Sequence, residues 1–153
     1  MDREIEFRGK TKDNEWIYGY YHKETSTSLA LQEYGIGKID THYIHAVINH
    51  LLFKVEVVGE TIGQYTGLKD KNGKKIFEGD IIDIHQTVNG YNQFVIVYNN
   101  YQFTAEYYNE KIKRRTHRLY EYNLDELFEI NECEKEIEVI GNIYENDLET
   151  KGE

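Results

Sequence analysis

From Ile62 to Asp80 the chain reads Ile-Gly-Gln-Tyr-Thr-Gly-Leu-Lys-Asp-Lys-Asn-Gly-Lys-Lys-Ile-Phe-Glu-Gly-Asp, and no other stretch restricts the fold as strongly. Gly63, Gly67, Gly73 and Gly79 mark places where the backbone bends or is approached closely. Asn72-Gly73 favours positive φ at both central positions, which predicts a two-residue type I′ hairpin turn. Asn89-Gly90 carries the same signal. The chain contains no proline, so glycine and asparagine must supply the punctuation. The run dictates a backbone path and displays no recognisable set of reactive groups.

Extended segments lie between these bends. Ile5 and Phe7 alternate with charged residues, and Trp16 to Tyr21 returns after the polar Asp13-Asn14, so residues 5–21 read as a hairpin. Residues 24–37, with a Ser-Thr-Ser cluster and two flanking glycines, read as a connection that holds at most one helical turn. Lys38 to Phe53 reads as one or two strands or a short helix, because period 2 and period 3.6 do not separate there. Lys54 to Val58, Ile76-Phe77 and Asp80 to His85 read as strands, and Phe94 to Tyr98 as a buried one. Asn99-Asn100 turns the chain into an alternating strand carrying Tyr101, Phe103, Ala105 and Tyr107. Leu124 to Ile130 spaces Leu124, Leu127 and Phe128 as a short helix does. Glu138 to Tyr144 closes the series, and residues 145–153 read as a frayed tail. The predicted fold is mainly β: antiparallel strands in a small, partly open barrel or two packed sheets, with one or two short helices. Residues 1–146 form the domain, with subdomains 1–60 and 61–146 as an open alternative joined through Gly59 to Gly67. Residues 147–153 form an acidic tail.

Cys133 is the single cysteine among 153 residues, so no intrachain disulfide and no cysteine-based zinc site can form. No apolar run approaches the roughly 20 residues that span a bilayer, and Met1-Asp-Arg-Glu-Ile-Glu has no signal-peptide core. The expectation is a cytoplasmic protein that does not enter a membrane. The net charge of −10 is uneven: most of the excess lies beyond residue 118, whereas residues 111–118 are basic. Such a balance opposes non-specific attraction to DNA or anionic lipid.

Three blocks resemble a known family. They are Arg3 to Lys10 with Asp13 to Tyr20, then Glu60 to Ile82, then Ile137 to Asn146. In these blocks the chain resembles the YopX-like family of phage and prophage proteins, whose biochemical role is unknown. One departure is Gly59, where the family pattern leads one to expect proline. The resemblance implies a mostly β protein encoded by a phage or prophage and acting in the cytoplasm of a bacterial host. It implies no activity and supplies no catalytic residues.

Candidate chemistry fails on spacing. A P-loop needs four residues between its glycines and a hydroxyl after the lysine. Here five residues separate Gly67 from Gly73, and Lys75 follows Lys74. Asp70-Lys71-Asn72-Gly73 opens like a calcium loop, but Lys74 takes the fifth position and the glycine comes too early. His42, His45 and His50 cluster in sequence, yet on a strand His42 and His45 point to opposite faces. Glu78 and Asp80 would share a strand face near Asp83, where carboxylates bind a metal or simply cap turns. No catalytic, metal or cofactor residue is expected. Lys111, Lys113, Arg114, Arg115 and Arg118, flanked by Tyr108 and Tyr120, combine cations with stacking rings. That pairing suits single-stranded nucleic acid or a partner protein, or a solvated loop balancing the acidic stretch that follows.

The reading is therefore a non-catalytic protein-binding module engaging a host or phage protein through some of its 14 tyrosines. The alternative is a nucleic-acid-binding barrel using residues 111–118, distinguishable by steep weakening with salt. Exposed edge strands and tyrosines leave homo-oligomerisation open.

Overall fold

Nearly all regular structure in this computed structural model is antiparallel β-strand, arranged in two sheets that do not close. The structure describes residues 4–27, 38–88, 90–109, 114–115, 121–124, 126–127 and 137–145. The chain divides into two units, Met1–Gln64 and Tyr65–Glu153.

The first unit begins with β1 (Phe7–Lys10), paired with the first residues of β2 (Trp16–Ser26). From Tyr20 onward β2 changes partner and runs against β3 (Ile39–Ile48), which folds back onto β4 (Leu51–Val57). The exchange of partners occurs at Gly19, where a Cβ would lie 2.1 Å from the His45 carbonyl oxygen. Only glycine lets the two backbones approach this closely. Lys38 to Phe53 thus belongs to a hairpin and not to a helix. A 3₁₀ turn (Gly59–Thr61) then leads into β5 (Gly63–Lys69), whose first two residues pair with β1. The core of this unit is Ile44, Ala46 and Val57, with Phe7, Ile17, Tyr21 and Ile62 packed against them.

In the second unit β5 continues into a hairpin with β6 (Lys75–Phe77). β7 (Asp80–Val88), β8 (Tyr91–Asn99) and β9 (Gln102–Asn109) form a meander. β10 (Arg114–Arg115) and β11 (Glu121–Asn123) both pair with β9, and β12 (Glu138–Asn142) pairs with β7. β8 is buried on both faces: Phe94 and Ile96 enter one cluster with Ile76, Ile82, Ile84, Leu127 and Ile137, while Val95 and Val97 enter another with Ile81 and Tyr108. This is why Phe94 to Val97 is continuously apolar. Complete burial of each such side chain contributes about 1.5–3 kcal/mol. Leu124, Glu126 and Leu127 are helical, with both leucines buried; residues 125 and 128–130 of the predicted helix lie outside the described residues, as do Cys133 and the tail beyond Glu145.

The turns correct several expectations. Asn72-Gly73 is not a two-residue turn. Gly73 has φ +79°, whereas Asn72 is not among the positive-φ residues. Gly73 N–H donates to the Asp70 carbonyl, and Asp70 N–H donates to the Lys74 carbonyl, closing a three-residue loop. The cause is the Asp70 side chain: its Oδ1 accepts the N–H groups of Asn72 (2.8 Å) and Lys74 (2.9 Å), which holds the loop in an Asx turn and leaves only Gly73 to reverse. The β1–β2 connection repeats this geometry. Asn14 N–H donates to Thr11 O, Thr11 N–H donates to Glu15 O, and Asn14 takes φ +67°. Turns with two positive-φ residues, as in type I′, occur instead at Asn49-His50 (φ +51°, +65°) and Asn100-Tyr101 (φ +49°, +66°). The second lies one residue later than expected, so Tyr101 is a 96% exposed turn residue and not part of the strand. Gly63 also lies within a strand, opposite Arg8. Gly67 falls in β5 where the register with β6 shifts, Gly79 forms the turn before β7, and Gly90 has φ +85° next to Asn89, which lies outside the described residues.

Candidate protein-docking surface

The β2–β3–β4 sheet sorts its side chains by parity. Tyr21, Ile44 and Val55 stand in register on the face that holds the core. Tyr20, His45 and Lys54 form the corresponding row on the other face, and His22, Tyr43 and Glu56 form the next. That outer face is polar and aromatic. The His22 and His45 rings stack with centroids 5.5 Å apart, and their nearest nitrogens are 3.3 Å apart. Lys54 Nζ sits 4.0 Å above the Tyr43 ring and forms an ion pair with Glu24; this pair holds the Glu24 carboxyl below the usual range. Lys12 pairs with Glu56 at 2.8 Å, which raises the Lys12 ammonium.

Beyond His45 the hairpin leaves β2 behind. Ala46 to Ile48 pair only with β4, and Asn49-His50 close the tip. From Ala46 to Phe53 the sequence is Ala-Val-Ile-Asn-His-Leu-Leu-Phe, without a charged residue. Val47, Leu51 and Leu52 are 69%, 62% and 67% exposed, and Ile48 and Phe53 are exposed as well. Val47 and Leu52 share one face, Ile48 and Leu51 the other, so the tip is apolar on both sides. Tyr18 and Tyr20 are exposed on β2. Adjacent exposed apolar side chains of this kind make the tip a candidate docking surface. The sequence reading missed this tip. The available signal was Asn49 between two apolar runs.

Only part of the predicted contact set falls within the described residues. Arg114 and Arg115 form β10 opposite Asn109 and Tyr108; Lys111, Lys113, Arg118 and Tyr120 lie outside the described residues. Tyr108 is 5% exposed and packs with Ile81, Val95 and Val97, so its ring is not a stacking platform. The histidines are separated. His42 Nδ1 lies 2.9 Å from the Tyr21 hydroxyl on the core face, His45 stacks on the outer face, and His50 is at the tip. Glu78 sits in the turn with Gly79, not on a strand face with Asp80. Asp80 is buried and accepts the Phe77 N–H at 2.8 Å, whereas Asp83 accepts from Asn92. Among the described residues no three His, Cys, Asp or Glu side chains converge on a metal position, and no helix is long and apolar enough to cross a membrane.

The family model described as YopX protein matches residues 6–149. The chain belongs to the YopX protein family. At Gly59, the point of departure within the YopX-like pattern, a Cβ would lie 2.7 Å from the His42 ring. A solved structure, that of protein EF1440 from Enterococcus faecalis, is similar at 21% identity over 95% of this chain and 97% of that one, with a TM-score of 0.45. No curated protein matches the chain.

Proposed function

We propose that the chain is a non-catalytic protein-binding module, encoded by a phage or prophage and acting in the bacterial cytoplasm, that docks a partner protein on the tip of the β3–β4 hairpin. One observation carries the reading: Val47, Ile48, Leu51, Leu52 and Phe53 stand exposed together on a two-stranded extension without charge. Apolar side chains contribute to stability only when covered, so five of them outside the core gain their value from a bound surface. Tyr18 and Tyr20 extend the surface with rings that lose little entropy on contact.

The test is affinity capture from the host bacterium with the wild-type chain and a Leu51→Ser/Leu52→Ser variant. Both positions lie outside the buried clusters, so the variant keeps the wild-type far-UV circular dichroism spectrum and its stability to within roughly 0.5 kcal/mol. The wild type retains a partner that the variant loses. Equal retention by both, or no retained protein, contradicts the proposal.

A further inference from the structure

We propose that His22 and His45 form a zinc site on the outer face of the β2–β3–β4 sheet, two imidazoles from neighbouring strands holding the ion while water completes its coordination. The site is independent of what the hairpin tip binds. His45 belongs to the histidine group visible in the sequence, but its partner comes from the preceding strand, 23 residues earlier. The register explains the meeting. Tyr20 faces His45 and His22 faces Tyr43, so the two histidines stand diagonally on one face, within reach of long side chains. His22 Nδ1 and His45 Nε2 lie 3.3 Å apart, and the rings are within 15° of parallel. His22 is exposed and His45 is half-buried, so the pair opens to solvent.

The separation selects the metal. Two Zn–N bonds of about 2.0–2.1 Å at a tetrahedral angle set their nitrogens about 3.3–3.4 Å apart. Neighbouring positions of a square-planar ion set them only about 2.8 Å apart. The facing nitrogens share one proton when they bond as N–H···N. Moving that proton to the far nitrogen of its ring leaves two neutral imidazoles, each presenting a lone pair to the ion. The other ionisable groups on this face are Tyr20 and Glu24 on β2, Tyr43 on β3, and Lys54 and Glu56 on β4. Lys54, directly across from His45, is neutralised by its ion pair with Glu24, and Glu56 by Lys12. The hydrogen bond from Lys54 holds the Glu24 carboxyl below its usual range, and the charge of His22 and His45 adds to that effect, so carboxylate and ring pair act on one another. A cation between the rings therefore sits beside a carboxylate. Zinc held there ties β2 to β3 at the last row they share, because β3 leaves β2 beyond His45.

Isothermal titration calorimetry of the full chain with zinc chloride, without a histidine tag and near neutral pH, tests the site. The wild type takes up a zinc ion that His22→Ala and His45→Ala each bind at least about tenfold more weakly. His50→Asn, altered at the tip, keeps the wild-type affinity. Uptake weakens between about pH 7 and pH 5, because zinc must then displace protons from both rings. Circular dichroism of each variant separates loss of a ligand from loss of fold, and His22 is exposed, so its variant keeps the fold. No uptake by the wild type at millimolar zinc, or uptake that the folded His22→Ala variant retains unchanged, overturns the site. Leu51→Ser/Leu52→Ser keeps the wild-type zinc affinity, so failure here and failure of the tip to bind a partner are read separately.

Discussion

Asp70 secures three backbone N–H groups with one side chain. Its Oδ1 takes those of Asn72 and Lys74 within its own turn, and its Oδ2 takes that of Val139 in β12 at 3.1 Å. Lys71 strengthens the same junction: its N–H donates to the Ile137 carbonyl and its ammonium pairs with Glu138. A residue that resembles the head of a calcium loop is therefore a joint between two segments nearly seventy positions apart. Asp70 is buried, so removing its carboxyl leaves donors that water reaches poorly. Asp70→Ala is expected to destabilise the second unit by about 2–4 kcal/mol, read from urea unfolding. A loss near zero would show that the turn stands without it. Gly79 is a second constrained residue: at φ +85° a Cβ would approach the Tyr144 ring to 2.8 Å, while at Gly73 the same atom would meet open space.

At the level of elements, strands with a sorted environment were legible and the projecting hairpin was not. Phe94 to Val97 reads as a buried strand because clusters lie on both of its faces. Val47 to Phe53 shows no period because neither face of the tip is selected by a core, and apolar residues on both sides imitate a helix. The type I′ turns at Asn49-His50 and Asn100-Tyr101 lack the glycine that made Asn72-Gly73 look stronger, and asparagine alone marks them. The pairing of β2 with β3 carries a pH signature. The Thr25 hydroxyl donates to Asp40 at 2.6 Å and the Lys23 ammonium lies 3.2 Å away, which holds the Asp40 carboxyl below its ordinary 3.8. A carboxyl whose folded value is depressed stabilises above the unfolded value, and that contribution disappears as pH falls through the folded one. The gap in melting temperature between the wild type and Asp40→Asn should therefore be constant at neutral pH and shrink below about pH 4. A gap that does not change with pH would show that the contact is inert. The effect is small because the group is solvent-exposed.

For the whole molecule, the residues that hold the two cores and those that stand exposed at the β3–β4 tip are different sets. Buried isoleucines and Phe94 hold the second unit, Ile44 and Val57 hold the first, and Val47 to Phe53 add nothing to either cluster. The family match and the strand-rich architecture were both readable from the three sequence blocks, since glycine spacing and turn chemistry survive in a single chain. An exposed apolar tip made by a hairpin overrunning its neighbour is set by strand lengths, and no local pattern encodes those. The most direct measurement places a photo-crosslinking amino acid at Leu52 in one protein and at Tyr101 in another. Tyr101 is the control: it is 96% exposed in a turn of the other unit. In host cells, position 52 should yield adducts with a protein other than a second copy of the chain, and position 101 should yield none. Adducts at 101 with none at 52 would contradict the assignment of recognition to the β3–β4 tip.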